Sequence, residues 1–366
     1  MAAPSSQRVE RFDTIVIGGG QAGLSAGYHL GKADADFAIL TSEPNVGDNW
    51  RRRWDSLRLF TPARHSGLAG MPFPAPPSHF PDKDEVANYL ARYAECFELP
   101  VRTSVHVTSV ARVGDRYIVR TAQGSTFEAE NVVVATGAFQ RPNLPNVAAL
   151  LSPRIHQIHS SRYENPLSLP DGPVLVVGAG NSGAQIAIEL AKVRKVWLAG
   201  RDVGSMPRRL LGADIFTWIW PVITRATSAT RIGRRMMNGM RNSGGDKRIG
   251  IPHRALTDAG VVCVGRVDEE RGGLPVCDCK VLDPRVVVWC TGFKPDYRWI
   301  DVPIFGDDGY PRHQRGVVAE APGLFFLGLR FQYRVSSSLI GGVGDDAAFI
   351  AGQVVSRSEA EDIAMV

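Results

Sequence analysis

A strand, a glycine-rich turn and a helix recur in this chain, and that recurrence leaves few folds open. Thr14–Ile17 (TIVI) is a short apolar run. It leads into Gly18, Gly20 and Gly23, spaced G-x-G-x-x-G, and then into a helix-forming stretch from about Ala22 to Lys32. Val174–Val177 (VLVV) leads in the same way into Gly178, Gly180 and Gly183 and the stretch AQIAIELAK. Continuous apolar runs of this kind suit parallel strands buried on both faces. In such a turn the first glycine makes the bend, the second lets backbone approach a pyrophosphate, and the third lets the helix pack on its strand. The free N–H groups and dipole of the helix start favour the phosphates. One such match is weak evidence. Two, each set in strand, turn, helix and strand, predict an α/β chain with two Rossmann-like dinucleotide-binding units.

The residues after each helix differ. An acid that holds ribose hydroxyls is expected past the second strand, DFAIL. Thr41 and Ser42 come first there, and Glu43 is the candidate. In the second unit the strand KVWLAG runs into Arg201, where an acid would serve NAD. Arginine accommodates a 2′-phosphate and favours NADPH, with Arg208 as a second cation and Asn181 and Ser182 in the loop itself. Two more apolar runs, NVVVATG and RVVVWCTG, end in Thr136–Gly137 and Thr291–Gly292. Glycine there permits close passage of a cofactor.

These signals divide the chain into a discontinuous first domain, 1–143 and 284–366, and an inserted second domain, 144–283, with a helical insertion at about 204–251. Asp82 and Glu85 predict a capping box for the helix KDEVANYLARYAECFE. The apolar patch Trp218, Ile219, Trp220, Val222 and Ile223 is expected to pack on the body. A lid over substrate entry is the second reading of it, and a membrane-surface contact the third.

Composition bounds the rest. The chain has 366 residues, 44% hydrophobic and 22% charged, with a formal net charge of +5, ordinary for a folded chain of two domains. No pattern of basic and aromatic residues indicates nucleic acid. The five cysteines form no CxxC pair, which speaks against a disulfide scaffold or zinc site and for a reducing compartment. The histidines show no metal-binding spacing, so no metal is expected. With no signal-peptide pattern and no apolar run of bilayer length, a cytoplasmic location is expected.

The motifs in order resemble the class B flavin-dependent monooxygenases, that is, the flavin-containing monooxygenases with their YUCCA-like and bacterial relatives, over nearly the whole chain. GGGQAGLSAGYHL is similar to the family's FAD loop and GAGNSG to its NADPH loop. HSSRY (His159–Tyr163) resembles the end of the identifying motif, SMPRRLLG the segment after the NADPH loop, and CTGFKPDY the second Thr-Gly motif. The chain also resembles bacterial flavoproteins of the group often labelled as involved in potassium transport. The resemblance implies FAD in the first loop and NADPH in the second, with Trp50, Arg51 and Val107 on the FAD side. It implies hydride transfer from NADPH to flavin, and a flavin hydroperoxide that passes one oxygen atom of O2 to a small organic substrate. His159 and Tyr163 are then candidate catalytic residues. So is Thr61, in the segment LFTPAR where the flavin-containing enzymes often place an Asn. The chain departs from the family at Pro153 and Ile155, which replace Phe and Gly, and at Thr41, which replaces an acid. A homodimer is compatible with this reading. Two alternatives remain open: an NADPH:acceptor reductase without oxygenation, and a non-enzymatic FAD/NADPH sensor linked to transport.

Overall fold

Two sheets with parallel cores organise the chain, each with one glycine loop at the carboxyl end of an inner strand. The computed structural model describes residues 9–242 and 246–364. In the first sheet Val9–Ile17 lies between Phe37–Leu40 and Thr126–Val134, parallel to both. Thr126–Val134 serves two partners. Its amino half pairs antiparallel with Arg116–Thr121, and its carboxyl half pairs parallel with Leu324–Phe326. The second sheet is wholly parallel, in the order Val262–Val264, Val196–Ala199, Val174–Val177, Val286–Trp289 and His156–His159. All four residues of Val174–Val177 and of Val286–Trp289 are buried. A strand covered on both faces needs such an unbroken apolar run.

The helices follow from their ends and faces. Gln21–Gly31 begins at the first loop and packs with Gly344–Ala364 on one face of the first sheet. Lys83–Cys96 closes the same core through Val86, Tyr89, Leu90 and Tyr93. Its start has the expected capping box: the Asp82 carboxylate accepts from the Asp84 and Glu85 N–H groups, and Glu85 accepts from the Asp82 N–H.

One boundary read from the sequence is corrected. The run Val286–Trp289, assigned by the 284 boundary to the first domain, is a strand of the second sheet. It lies between His156–His159 and Val174–Val177, and its apolar side chains help to form that sheet's core. The chain returns to the first sheet only after Phe293–Lys294, which pairs antiparallel with Arg141–Pro142. The two crossings between units thus run side by side as a hinge.

The insertion forms helices Ile215–Arg225 and Arg231–Asn242. The first arises from the second unit but packs Ile215, Phe216 and Ile223 against Phe60, Val335 and Leu339 of the first. Ile219, Trp220 and Ile223 of the apolar patch therefore pack on the body and span the two units, whereas Trp218 and Val222 are exposed.

Candidate functional site

The two glycine loops have the same geometry. Gly18 has φ +118° and Gly178 φ +113°, in the left-handed region that favours glycine. A Cβ on Gly18 would lie 2.4 Å from the Ala135 carbonyl oxygen, and one on Gly178 2.3 Å from that of Cys290. Those carbonyls immediately precede Thr136–Gly137 and Thr291–Gly292, so each Thr-Gly end closes on its own loop. A Cβ on Gly23 or Gly183 would lie 1.8 Å from the carbonyl oxygen of the first glycine, which holds helix and strand together. At Gly20 and Gly180 a Cβ would meet no protein atom within 4 Å. The middle glycine in each loop leaves its backbone approachable in front of a helix start, the arrangement a pyrophosphate requires. The residues present thus fit two dinucleotides.

Around the first loop, Thr41 packs its side chain on Gly19, where a Cβ would come within 2.9 Å of it. Glu43 lies at the end of Phe37–Leu40 and pairs with Arg52. Val107 starts the strand just after Ser104 and Val105, whose N–H groups bond the carbonyls of Glu43 and Thr41. Trp50 packs against the cores of both units. The Arg51 guanidinium donates to the Val46 carbonyl, Asp48 and Asn88. It braces the loop that follows the second strand.

Around the second loop, Arg201 is exposed just beyond Val196–Ala199. Arg208 is committed elsewhere. It donates to the Phe60 carbonyl at 2.7 Å, lies 3.8 Å from Asp214 and stacks over Phe80. It clamps the units together, and its burial lowers its pKa. The Asn181 side chain accepts from the Ile249 N–H and donates to the Lys247 carbonyl, tying the loop to Arg248–Ile249. Ser182 stands beside it in the first helical turn. Arg248, which sequence reasoning missed, is 2% exposed. It bonds Asp202 and the Ala179 carbonyl inside the glycine loop. Only its burial identifies it; no motif marks it.

The hinge gathers the remaining groups. Gln140 donates to the Thr136 hydroxyl and the Gly137 carbonyl, both at 2.9 Å. Asn143 donates to the Thr291 carbonyl at 3.1 Å. His159, 5% exposed, has Nδ1 accepting from the Ser161 N–H, so Nε2–H donates to the Gly292 carbonyl at 3.0 Å. Burial lowers its pKa and favours the neutral ring. Both nitrogens are engaged with the chain, so His159 anchors the hinge. Arg53, also missed, stacks over Phe139 at 5.1 Å and Phe293 at 6.0 Å, the residues two and one after the two Thr-Gly glycines.

Two candidate catalytic residues lie away from the loops. Tyr163 is fully buried in the second unit's core and donates to Glu189 at 2.7 Å. Burial raises its pKa strongly, and its ring belongs with Leu169, Leu190 and Val196. This corrects its catalytic assignment. The Ser66 hydroxyl donates to the Pro62 carbonyl, so the buried Thr61 hydroxyl donates to Ser66 Oγ at 3.1 Å. Thr61 shapes the wall under the Ile215–Arg225 helix, where Phe60 stacks near Phe216 and His65 stacks on Trp220 at 4.4 Å. His65 Nε2 is buried there without a hydrogen-bond partner, and burial lowers its pKa.

The chain is similar to known proteins along its length. The sequence profile of the family described as pyridine nucleotide-disulphide oxidoreductase matches residues 15–236. An uncharacterized oxidoreductase CzcO-like of Geobacillus kaustophilus is 41% identical over 94% of this chain and 99% of its own. The indole-3-pyruvate monooxygenase YUCCA4 of Oryza sativa subsp. japonica is 26% identical over 94% of this chain and 87% of its own. The solved structure of a flavin-containing monooxygenase from Stenotrophomonas maltophilia superposes with a TM-score of 0.77 at 26% identity, covering 96% of this chain and all of that one.

Proposed function

Because this chain belongs to the pyridine nucleotide-disulphide oxidoreductase family, we propose that it is an FAD-dependent, NADPH-using monooxygenase acting on a small organic substrate. The observation that carries the reading is the matched pair of open middle glycines, Gly20 and Gly180, on two sheets joined by one hinge. FAD is placed at Gly18–Gly23, in the unit formed by the first sheet. NADPH is placed at Gly178–Gly183, with Arg201 at its 2′-phosphate. The bound flavin supplies the redox chemistry: NADPH and O2 are consumed, one oxygen atom enters the substrate and the other leaves as water.

The protein's part is binding, orientation and exclusion of water. The helix starts at Gln21 and Asn181 have no side-chain cap and would hold the pyrophosphates of the bound cofactors. His159, neutral and bonded to Gly292, is a positioning residue for the hinge. The Ile215–Arg225 helix covers the Phe60–His65 wall and keeps it apolar. His65 Nε2 is buried on that wall without a hydrogen-bond partner.

Turnover under labelled O2 with a panel of sulfides, ketones and aromatic 2-oxo acids tests this. Labelled product with one NADPH oxidised per product is expected. NADPH oxidation that yields only peroxide across the panel would instead support a reductase or sensor.

A further inference from the structure

The 28 residues from Ile215 to Asn242 hold five of the chain's 42 basic residues and none of its 37 acidic ones, and so carry its whole formal excess of +5. The same segment shows apolar side chains outward. Ile215, Phe216 and Ile223 point into the body. Trp218, Pro221, Val222 and Arg225 form an exposed stripe at i, i+3, i+4 and i+7 on the opposite side of that helix. Trp218 is 47% and Val222 53% exposed. Trp218 Nε1 donates to the Leu210 carbonyl, so the stripe joins Leu211, which is 84% exposed at the turn between the antiparallel strands Arg209–Leu210 and Ala213–Asp214. In the next helix Met237 is buried, whereas Arg231, Ile232, Arg234 and Arg235 face out, Ile232 at 79% exposure.

We propose that this face docks on an anionic lipid bilayer surface. Outward apolar side chains with an amphipathic indole, edged by arginine and free of acid, match the interfacial region of such a membrane. Nucleic acid would use the arginines but leave Leu211, Val222 and Ile232 without apolar partners. The contact is interfacial, since no helix among the described residues is long and apolar enough to cross a membrane. On the proposed function, the docked face lies just outside the wall built by Phe60 and His65, and an apolar substrate would enter from the lipid side.

Sedimentation with sucrose-loaded vesicles tests the docking without reference to catalysis. The full chain should pellet with vesicles of equal parts phosphatidylglycerol and phosphatidylcholine, and not with phosphatidylcholine alone. High salt should release it. Arg225→Ala/Arg231→Ala/Arg235→Ala should lower partitioning on the order of a hundred-fold, at about 1 kcal/mol per arginine. Leu211→Glu/Ile232→Glu should abolish it, with an unchanged circular dichroism melt in both variants. A wild-type chain that stays in the supernatant with anionic vesicles overturns the proposal, as does binding that survives both variants. Dimers that the Leu211→Glu/Ile232→Glu change splits, without vesicle binding, would assign the face to a second copy. Binding of duplex DNA in place of vesicles would assign it to nucleic acid.

Discussion

At the scale of single residues, the three glycines of each loop separate into closely packed and open positions. Gly20 has φ −87°, which any residue adopts, and no protein atom lies within 4 Å of its would-be Cβ. Gly20→Val should therefore leave the fold intact and block the approach of a pyrophosphate. The variant should melt like the wild type yet purify without bound flavin, whereas Gly180→Val should keep flavin and lose NADPH binding. Full flavin in Gly20→Val would refute the placement. Arg201 makes the next test. A charge-assisted hydrogen bond to phosphate contributes about 1.5–3 kcal/mol. Arg201→Ala should thus weaken NADPH by roughly ten- to hundred-fold, with little change for NADH, in titrations of each. Equal losses would remove its role at the 2′-phosphate. Arg208, the second cation read from the sequence, is already engaged with Phe60 and Asp214.

At the scale of elements, each helix start has its own means of satisfying the first N–H groups. The two cofactor-loop helices begin at glycine with no side-chain cap, leaving those donors for an anion. Lys83–Cys96 satisfies them internally through Asp82 and Glu85. Asp82→Ala should cost about 1 kcal/mol, read as a shift in the denaturant midpoint, without loss of flavin. A loss of flavin at unchanged stability would mean that Asp82 serves the cofactor. This element was legible in the sequence because a capping box is written within four residues. The strand Val286–Trp289 was legible as a strand but not as a member of its sheet, because an apolar run does not name its neighbours.

At the scale of the whole molecule, the hinge sets how the two units meet. His159 is its buried anchor, and its pKa lies below the usual value because burial disfavours the charged ring. The unfolded chain protonates this residue near pH 6.5. The stability it contributes is therefore complete above about pH 6.5 and is lost as pH falls through that value toward the lowered folded one. In that window the unfolding free energy should fall by up to about 1.4 kcal/mol per pH unit on its account. His159→Gln keeps a donor for the Gly292 carbonyl and cannot titrate, so its slope should be shallower by that amount. His29 and His65, whose pKa values are also lowered by burial, act equally in both proteins. Identical slopes would show that His159 does not hold the hinge in its neutral form.

The amino-acid sequence by itself determined the two α/β units and their glycine loops, since strand, turn and helix start are written in contiguous residues with local geometric demands. It also carried the capping box and the apolar, then basic, character of the insertion. The tertiary structure decided what depends on partners far along the chain. Tyr163 turns into a core with Leu190 and Val196, Arg208 reaches Phe60, Arg248 buries itself beneath Ala179, and the Ile215–Arg225 helix crosses to the other unit. Each of these is a choice among partners that burial and hydrogen bonding make only once the chain has closed on itself, because a side chain's local sequence sets its chemistry and not its neighbours.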